Sequence, residues 1–177
     1  MRKFERATEL ITESGIVYKV NQVDAMVLKA QPKGFSVISV NDLIYEANIK
    51  PYIDSLPVTS IGEFAFNHCL VLNKVYIPPT ISILGRYAFS YCLSLEEIVI
   101  PSSVISIGHG AFCCCNSLKR IVIENDSKLS CVDSTAFLKC ENLTDIVIPD
   151  SLKNNEKVVE QINKAFSERY EDNFKNE

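Results

Sequence analysis

The chain has 177 residues, of which 47% are hydrophobic and 23% charged, a balance typical of one globular domain. Its formal net charge of −4, from 18 Lys and Arg against 22 Asp and Glu, argues against a nucleic-acid-binding protein, which needs a basic surface. No apolar run approaches the roughly 18 residues of a membrane span, and no apolar segment follows the basic start MRKFER, so we expect neither a membrane anchor nor a secretory signal.

Residues 1–57 are expected to form an N-terminal cap, because they lack the repeat that follows them. Apolar residues at helical spacing predict a helix over about Lys3–Glu13, with Gly15 just past its end. Three short strands are predicted next, at Ile16–Val20, Ala25–Ala30 and Phe35–Val40, the last of which should begin a stacked sheet. The longer connection after them should hold a short helix at Leu43–Ile49.

Residues 58–152 repeat one pattern four times, in units that begin at Val58, Ile81, Val104 and Leu129, at steps of 23, 23 and 25 residues. Each unit carries an Ala-Phe pair, a Cys three residues after the Phe, a Leu three residues further on, and then a segment of the form Ile-x-Ile or Val-x-Ile. The Phe and Cys columns are Phe66, Phe89, Phe112 and Phe137, and Cys69, Cys92, Cys115 and Cys140. The Leu column is Leu72, Leu95, Leu118 and Leu143.

A repeat of this length predicts a solenoid, because one unit cannot bury its apolar side whereas stacked units share a core. The alternating Leu-x-x-Ile-x-Ile segment predicts a strand, and the Ala-Phe-x-x-Cys segment predicts one or two helical turns. Gly62, Gly85 and Gly108 recur at one position and are expected to serve a turn. The predicted fold is an α/β solenoid of about four parallel turns of 23–25 residues, with an N-terminal helix plus β cap and a C-terminal helical cap.

These columns resemble the BspA-like leucine-rich repeats, whose unit runs from an Ile-Gly pattern through Ala-Phe, Cys and Leu to Ile-x-Ile-Pro. Residues 58–152, a little over half of the chain, carry the resemblance. It implies a leucine-rich-repeat solenoid, and members of the family are commonly cell-surface proteins that bind other proteins. Here the expected lack of a leader or anchor, together with an odd count of seven Cys, instead favours a cytoplasmic protein with free thiols.

Residues 153–177 are expected to form a C-terminal capping helix and a frayed tail. Either Asn154 or Asn155 can cap the start of a helix. Four apolar residues then follow at helical spacing, namely Val159, Ile162, Phe166 and Tyr170. This pattern predicts a helix that lies over the last repeat, with polar residues beyond it.

The strand alternation places two residues of each unit on the open face of the sheet, two and four positions after the Leu. The first column alternates in charge, with Lys74, Glu97, Arg120 and Asp145. The second column is apolar, with Tyr76, Val99, Val122 and Val147. A ladder of surface ion pairs, each worth at most about 1 kcal/mol, and a recognition strip both explain the first column. A partner site and the strand propensity of Val both explain the second.

The other candidate sites point to structure rather than chemistry. Three Cys are adjacent, at Cys113, Cys114 and Cys115, whereas a tetrahedral zinc site is typically built from spaced pairs of Cys. His68 should lie two turns from Cys114, about 9.6 Å away, which is too far to share an ion. His109 aligns with polar, variable residues, which predicts a solvated loop residue and leaves a Cys114–His109 pair without an orienting third group. We therefore expect no metal, no cofactor and no enzyme.

Two functions remain. The first is a module that binds a protein partner along the eight residues of the open sheet face. The alternative is a structural or self-assembling repeat protein without a dedicated ligand, whose ends add further copies to make a homo-oligomer. The sequence does not identify the partner, because a fold alone does not determine a function.

Overall fold

The computed structural model describes residues 10–13, 16–21, 34–40, 44–53 and 55–170, with side chains from residue 44 onward. The strands are β1 Leu10–Glu13, β2 Ile16–Asn21, β3 Gly34–Val40, β4 Glu46–Asn48, β5 Tyr52–Ile53, β6 Leu56–Ile61, β7 Lys74–Tyr76, β8 Ile83–Leu84, β9 Glu97–Ile100, β10 Ser106–Ile107, β11 Arg120–Ile123, β12 Cys131–Val132 and β13 Asp145–Val147. The helices are α1 Asp150–Lys153 and α2 Glu156–Ser167, followed by a 3₁₀ turn at Glu168–Tyr170.

Each repeat is a coil with one strand on each of two sheets and a tight turn between them. The Leu-x-x-Ile-x-Ile segments form the first sheet, called here the face sheet, in which β4 pairs with β7, and β9, β11 and β13 pair in parallel. The second sheet, the back sheet, has the order β1-β2-β3-β6-β8-β10-β12, with β5 paired to β6. From β3 onward the strands along this path run parallel. The predicted solenoid of about four turns is confirmed.

The core between the sheets is built from the columns that the repeat identifies. The four Phe rings form a ladder, with centroids 4.8 Å apart for Phe66 and Phe89, 5.4 Å for Phe89 and Phe112, and 6.1 Å for Phe112 and Phe137. All four rings are fully or almost fully buried. Because successive turns repeat the same backbone, each ring meets its counterpart on the turn before and after it.

The core Cys column has a polar role beside its packing role. The thiol of Cys92 donates to the carbonyl oxygen of Phe66 at 3.2 Å, and that of Cys115 donates to the carbonyl oxygen of Phe89 at 2.9 Å. Cys140 repeats the contact with Phe112 at 2.9 Å. Each thiol is a weak donor on a small apolar side chain, so these contacts tie the second, third and fourth repeats each to the repeat before it.

The Ala-Phe-x-x-Cys segments form tight turns, so the prediction of helical turns there was wrong. The residue before each core Cys has a left-handed backbone, with φ values of 62° at His68, 59° at Tyr91, 61° at Cys114 and 58° at Lys139. A left-handed residue ends a right-handed helical run. The turn N–H groups donate to the next coil, as Phe89 does to the Ala111 carbonyl at 2.7 Å, so bonds between coils replace those of a helix.

The recurring glycines allow adjacent coils to approach one another. A Cβ atom on Gly85 would lie 2.7 Å from the carbonyl carbon of Gly62 and 2.8 Å from the carbonyl oxygen of Ile61. A Cβ on Gly108 would lie 3.1 Å from backbone atoms of the coil that holds Gly85. The backbone contact between coils, rather than a turn that needs positive φ, explains why this column is glycine.

Two N-terminal predictions need correction. Leu10–Glu13 is a strand paired antiparallel to β2, and not the end of a helix; residues 3–9 of the predicted helix lie outside the described residues. The helix predicted at Leu43–Ile49 is also wrong, since β4 occupies Glu46–Asn48.

Two of the three strands predicted in the N-terminal segment are confirmed, and the third lies outside the described residues. The strand predicted at Ile16–Val20 is confirmed as β2, and the one at Phe35–Val40 is confirmed as β3, which begins the parallel stack by pairing with β6. The strand predicted at Ala25–Ala30 lies outside the described residues.

At the C-terminal end, α2 packs against the last coil. Asn155 caps the helix by accepting a hydrogen bond from the Val158 N–H, and Val158, Ile162 and Ala165 are buried. Tyr170 is 61% exposed and lies outside the helix, in contrast to its predicted place on the apolar face. The predicted frayed tail, residues 171–177, lies outside the described residues.

Candidate functional site

The open surface of the face sheet carries the eight residues that the strand alternation selects. Each strand contributes one residue to each column. Arg120 pairs with both Glu97 and Asp145, and Val122 pairs with both Val99 and Val147. In the neighbouring pair of strands, Glu46 lies beside Lys74 and Asn48 beside Tyr76. Glu46 and Asn48 thus extend the two columns by one coil that the sequence prediction missed.

The apolar column is unevenly exposed along the sheet. Tyr76 is 56% exposed and Val99 is 40% exposed, whereas Val122 and Val147 are half-buried. Tyr45, just before β4, is 65% exposed. Exposed apolar surface is therefore concentrated on the N-terminal half of the face sheet.

Charges on the C-terminal half neutralise one another. The Arg120 Nε atom lies 3.1 Å from Asp145 Oδ2, and both side chains are about half exposed. In the column beside them, Lys119 Nζ lies 2.9 Å from Glu96 Oε2. Such exposed pairs contribute little to stability, and they occupy the groups that a charged partner would otherwise contact.

Two shallow grooves lie on the N-terminal half. The first, of about 410 Å³, is lined by Glu46, Ala47, Asn48, Lys74 and Tyr76. The second, of about 430 Å³, is lined by Asn73, Lys74, Val75, Ser94, Glu96, Glu97 and Val99. The second groove lies where β7 and β9 belong to separate hydrogen-bonded groups of strands. Tyr76, Val99 and Lys74 therefore stand at the edges of concave surface.

His109 is a turn residue whose side chain is 44% exposed, as the prediction of a loop residue requires, and its ring also lies in a hydrogen-bond chain. Its Nε2 atom is 3.0 Å from the Tyr87 hydroxyl, and its Nδ1 atom is 2.9 Å from Thr135 Oγ1 and 3.4 Å from Asp133 Oδ1. Thr135 donates its single hydroxyl hydrogen to Asp133 Oδ1 at 2.6 Å, so its oxygen accepts from the Nδ1–H of His109.

The hydrogen bonds from Tyr87 through His109 to Thr135 and Asp133 join three successive coils. Burial of the Asp133 carboxylate works to raise its pKa, but hydrogen bonds from Thr135 and the neighbouring His109 outweigh burial and hold the pKa below its usual value. Both ring nitrogens of His109 are engaged with partners on the neighbouring coils. The arrangement is a structural link between coils.

The three adjacent thiols divide between two environments. Cys115 belongs to the core column, as the alignment predicts, whereas Cys113 and Cys114 form a small separate cluster with Leu138, against which Tyr87 packs. His68 stacks on Tyr91 at 4.5 Å between ring centroids. Within the residues that the structure describes, no three His, Cys, Asp or Glu side chains come close enough together to hold a metal ion.

The repeats of this chain match a known family. The sequence model described as "BspA type Leucine rich repeat region" matches residues 41–167 in six copies. The chain belongs to the BspA-type leucine-rich repeat family. The match begins upstream of Val58 and includes the coil that holds β4.

Solved leucine-rich repeat structures share the fold. A leucine-rich repeat protein from Bacteroides capillosus is 23% identical, with a TM-score of 0.63 over 78% of this chain and 96% of that chain. One from Bacteroides ovatus is 27% identical, with a TM-score of 0.57 over 80% of this chain and 42% of that one. A leucine rich cell surface protein from Faecalibacterium prausnitzii A2-165 is 18% identical, with a TM-score of 0.57 over 85% and 42%.

The chain thus spans about two fifths of the length of the Bacteroides ovatus and Faecalibacterium prausnitzii structures. No curated protein matches it. Among the described residues, no helix has the length and apolar character needed to cross a bilayer. The comparisons identify the family and its solenoid fold.

Proposed function

We propose that this BspA-type chain binds a partner protein along the open surface of its face sheet. The residues proposed to make the contact are Lys74, Tyr76, Glu97, Val99, Arg120, Val122, Asp145 and Val147. The observation that carries the proposal is the exposure of Tyr76 and Val99 on neighbouring coils. Exposed aromatic and aliphatic side chains beside a groove are the usual anchors of a protein interface.

Within this surface, the N-terminal half is the proposed centre of binding. Tyr76 and Lys74 line the first groove, and Lys74 and Val99 line the second. Arg120 and Asp145, which pair with each other, are the proposed polar rim, where contacts contribute less than at a buried centre. Tyr supplies a large contact area for little loss of conformational entropy, so Tyr76 is the proposed anchor.

A paired substitution tests this surface. The wild type and a Tyr76→Ala, Val99→Asp variant are used as baits in a pull-down from native extract under reducing conditions, and the captured protein is then titrated in pure form against both. We expect the variant to bind the partner about 30-fold more weakly or worse, since the loss of an interface anchor costs about 2 kcal/mol or more.

The control variant is Tyr52→Ala, Ile105→Asp. Its two residues match the exposure of the tested pair, at 55% and 44% against 56% and 40%, and they lie beside the back sheet. The control should bind as the wild type does. Equal weakening in both variants, or none in the first, would remove the face sheet as the binding surface. A captured protein that is the chain itself would favour the self-assembling role.

We also propose that the chain is organised as residues 1–57, 58–152 and 153–177, with the last segment as a cap on the solenoid. Two backbone N–H groups of the final coil support this role for the segment. Val132 donates to Oε1 of Gln161 in α2 at 3.1 Å, and Lys139 donates to the Arg169 carbonyl at 2.7 Å. These are edge donors that the next coil would satisfy in a longer solenoid.

Replacement of Gln161 by Ala tests the cap. We expect a loss of about 1–2 kcal/mol in the free energy of unfolding, because the Val132 N–H loses its acceptor, and faster native-state hydrogen exchange at that amide. Asn163→Ala, a change of an exposed amide on the same helix, should alter neither quantity. Unchanged exchange at Val132 in the Gln161 variant would contradict the cap.

For its compartment, we propose a reducing one, such as the cytoplasm. All seven cysteines are free, and six of them are buried. Free thiols persist where cellular reductants keep them reduced. The Faecalibacterium prausnitzii structure is described as a cell surface protein, so fractionation of native cells, with the chain followed by antibody, distinguishes the two locations.

A further inference from the structure

Two thiols of the third repeat face each other outside the main core. The Sγ atoms of Cys113 and Cys114 are 3.5 Å apart, and both residues are buried. Cys115, the next residue, lies in the main core instead, and its thiol donates a hydrogen bond to the Phe89 carbonyl. The third coil therefore holds a pair of adjacent sulfurs in a small buried cluster outside the main core.

The backbone of the repeat holds this pair in place. Cys114 has φ 61°, and the aligned residues Tyr91 and Lys139 have φ 59° and 58°. The left-handed conformation is thus a property of the repeat, and the cysteines inherit it. The Cys114 N–H also donates to the Leu138 carbonyl at 2.8 Å, which anchors the pair to the next coil. A ligand that bonds both sulfurs meets a site that is already organised.

The distance between the sulfurs limits what can join them. With bonds of about 2.3 Å to each sulfur, a separation of 3.5 Å corresponds to an angle of about 100° at the bridging atom. A linear two-coordinate ion would need the sulfurs about 4.6 Å apart by the same bond length. A direct disulfide is strained, because adjacent Cα atoms are about 3.8 Å apart and disulfides prefer about 4.4–6.8 Å.

The number of donors limits the ligand further. No third His, Cys, Asp or Glu joins the pair within the part of the chain that the structure describes, whereas tetrahedral zinc takes four ligands. A pyramidal trivalent arsenic centre that already carries one substituent needs only two sulfurs. We propose that Cys113 and Cys114 form a bidentate site for monosubstituted trivalent arsenicals, a class of soft, sulfur-seeking compounds.

The reaction balances without an oxidant. An arsenical of the form R–As=O and two thiols give R–As(S–Cys)₂ and one water, which carries away the oxygen and both thiol hydrogens. Two As–S bonds form, and arsenic stays trivalent. Burial holds the Cys113 thiol neutral by raising its pKa to about 12, and the product is also neutral, so the buried cluster never has to accommodate a charge.

The test uses the full-length chain and phenylarsine oxide in the presence of excess 2-mercaptoethanol, which competes for single thiols but poorly for a chelating pair. Intact-mass spectrometry of the native protein should show one adduct, and thiol titration should fall by two of the seven cysteines. A small dithiol should remove the adduct. No adduct, or an adduct that consumes a single thiol, would overturn the proposal.

Three variants locate the site. Cys113→Ser copies Ser90 of the preceding coil and should bind the arsenical about 100-fold more weakly or worse, with an unchanged circular dichroism spectrum. Cys114→Lys copies Lys139, which has the same left-handed backbone conformation. If Cys113→Ser fails to fold, this second variant tests the loss of arsenical binding in its place. Cys131→Ser removes the exposed thiol and should bind as the wild type does. Retention of the adduct by either of the first two variants would overturn the assignment.

Discussion

Phe89→Ala should lower the free energy of unfolding by about 3–5 kcal/mol, the cost of removing a fully buried Phe from a packed core. Phe89 has no solvent exposure, and its ring stacks on Phe66 at 4.8 Å and on Phe112 at 5.4 Å. Truncation therefore opens a cavity at the centre of the ladder and removes two ring contacts together. Thermal unfolding should shift down by roughly 10 °C in a chain of this size.

Phe137→Ala is the control for position in the ladder. Phe137 is also buried, but its one ring partner, Phe112, is tilted by 31° at 6.1 Å. Because this variant loses one weaker ring contact instead of two, we expect it to be less destabilising than Phe89→Ala by about 1 kcal/mol. Equal losses in urea-induced unfolding would show that the rings contribute through burial alone, without a contribution from stacking.

The repeat made most of the fold predictable. Four units align column by column, so one assignment of Leu-x-x-Ile-x-Ile as a strand applied to β7, β9, β11 and β13 together. Outward and inward positions followed from the two-residue period of a strand. The burial of β9, in which Glu97 and Val99 are exposed while Ile98 and Ile100 are buried, has the predicted alternation.

The repeat failed as a guide where one coil departs from it. Ile44-x-x-Ala47-x-Ile49 occupies the same register as Leu72-x-x-Val75-x-Ile77, as the pairing of Ala47 with Val75 shows. A Glu-Ala pair favours helix locally, and Lys50 stands where three of the four repeats have Pro and the third has Glu124. Packing against β7 overrides that propensity, and the spacing of Ile44 and Ile49 was the signal that could have found the strand.

Contacts between side chains of different coils could not be predicted from local pattern. Tyr87 and His109 are 22 residues apart in sequence and His109 and Thr135 are 26 apart, yet the three share one hydrogen-bond chain. The alignment places His109 on a polar column, but the bond depends on the tight turns that bring the rings of adjacent coils into reach. The same turns place Cys113 and Cys114 on one side of the chain, where a strand would have separated them.

Gly85→Ala should be the most damaging small substitution in the solenoid, with an expected loss of about 3 kcal/mol or more in the free energy of unfolding. The added methyl would approach Gly62 C at 2.7 Å, Ile61 O at 2.8 Å and Glu63 N at 2.9 Å, all of which are backbone atoms. Overpacking usually costs about 1–3 kcal/mol when side chains can move aside, and here the coils themselves must separate. The Gly85 N–H, bonded to the Ile61 carbonyl at 2.8 Å, reports on that separation by hydrogen exchange.

Gly108→Ala makes the same chemical change one coil further on, against a looser neighbour. Its three nearest backbone atoms lie at 3.1 Å, so a movement of a few tenths of an ångström relieves the contact, and we expect a loss of about 1 kcal/mol. The order of the two variants is the decisive result. If Gly108→Ala destabilises as much as Gly85→Ala, the glycine column is maintained by backbone flexibility rather than by the close approach of coils, and the stacking distance would have to be set by the Phe and Cys columns instead.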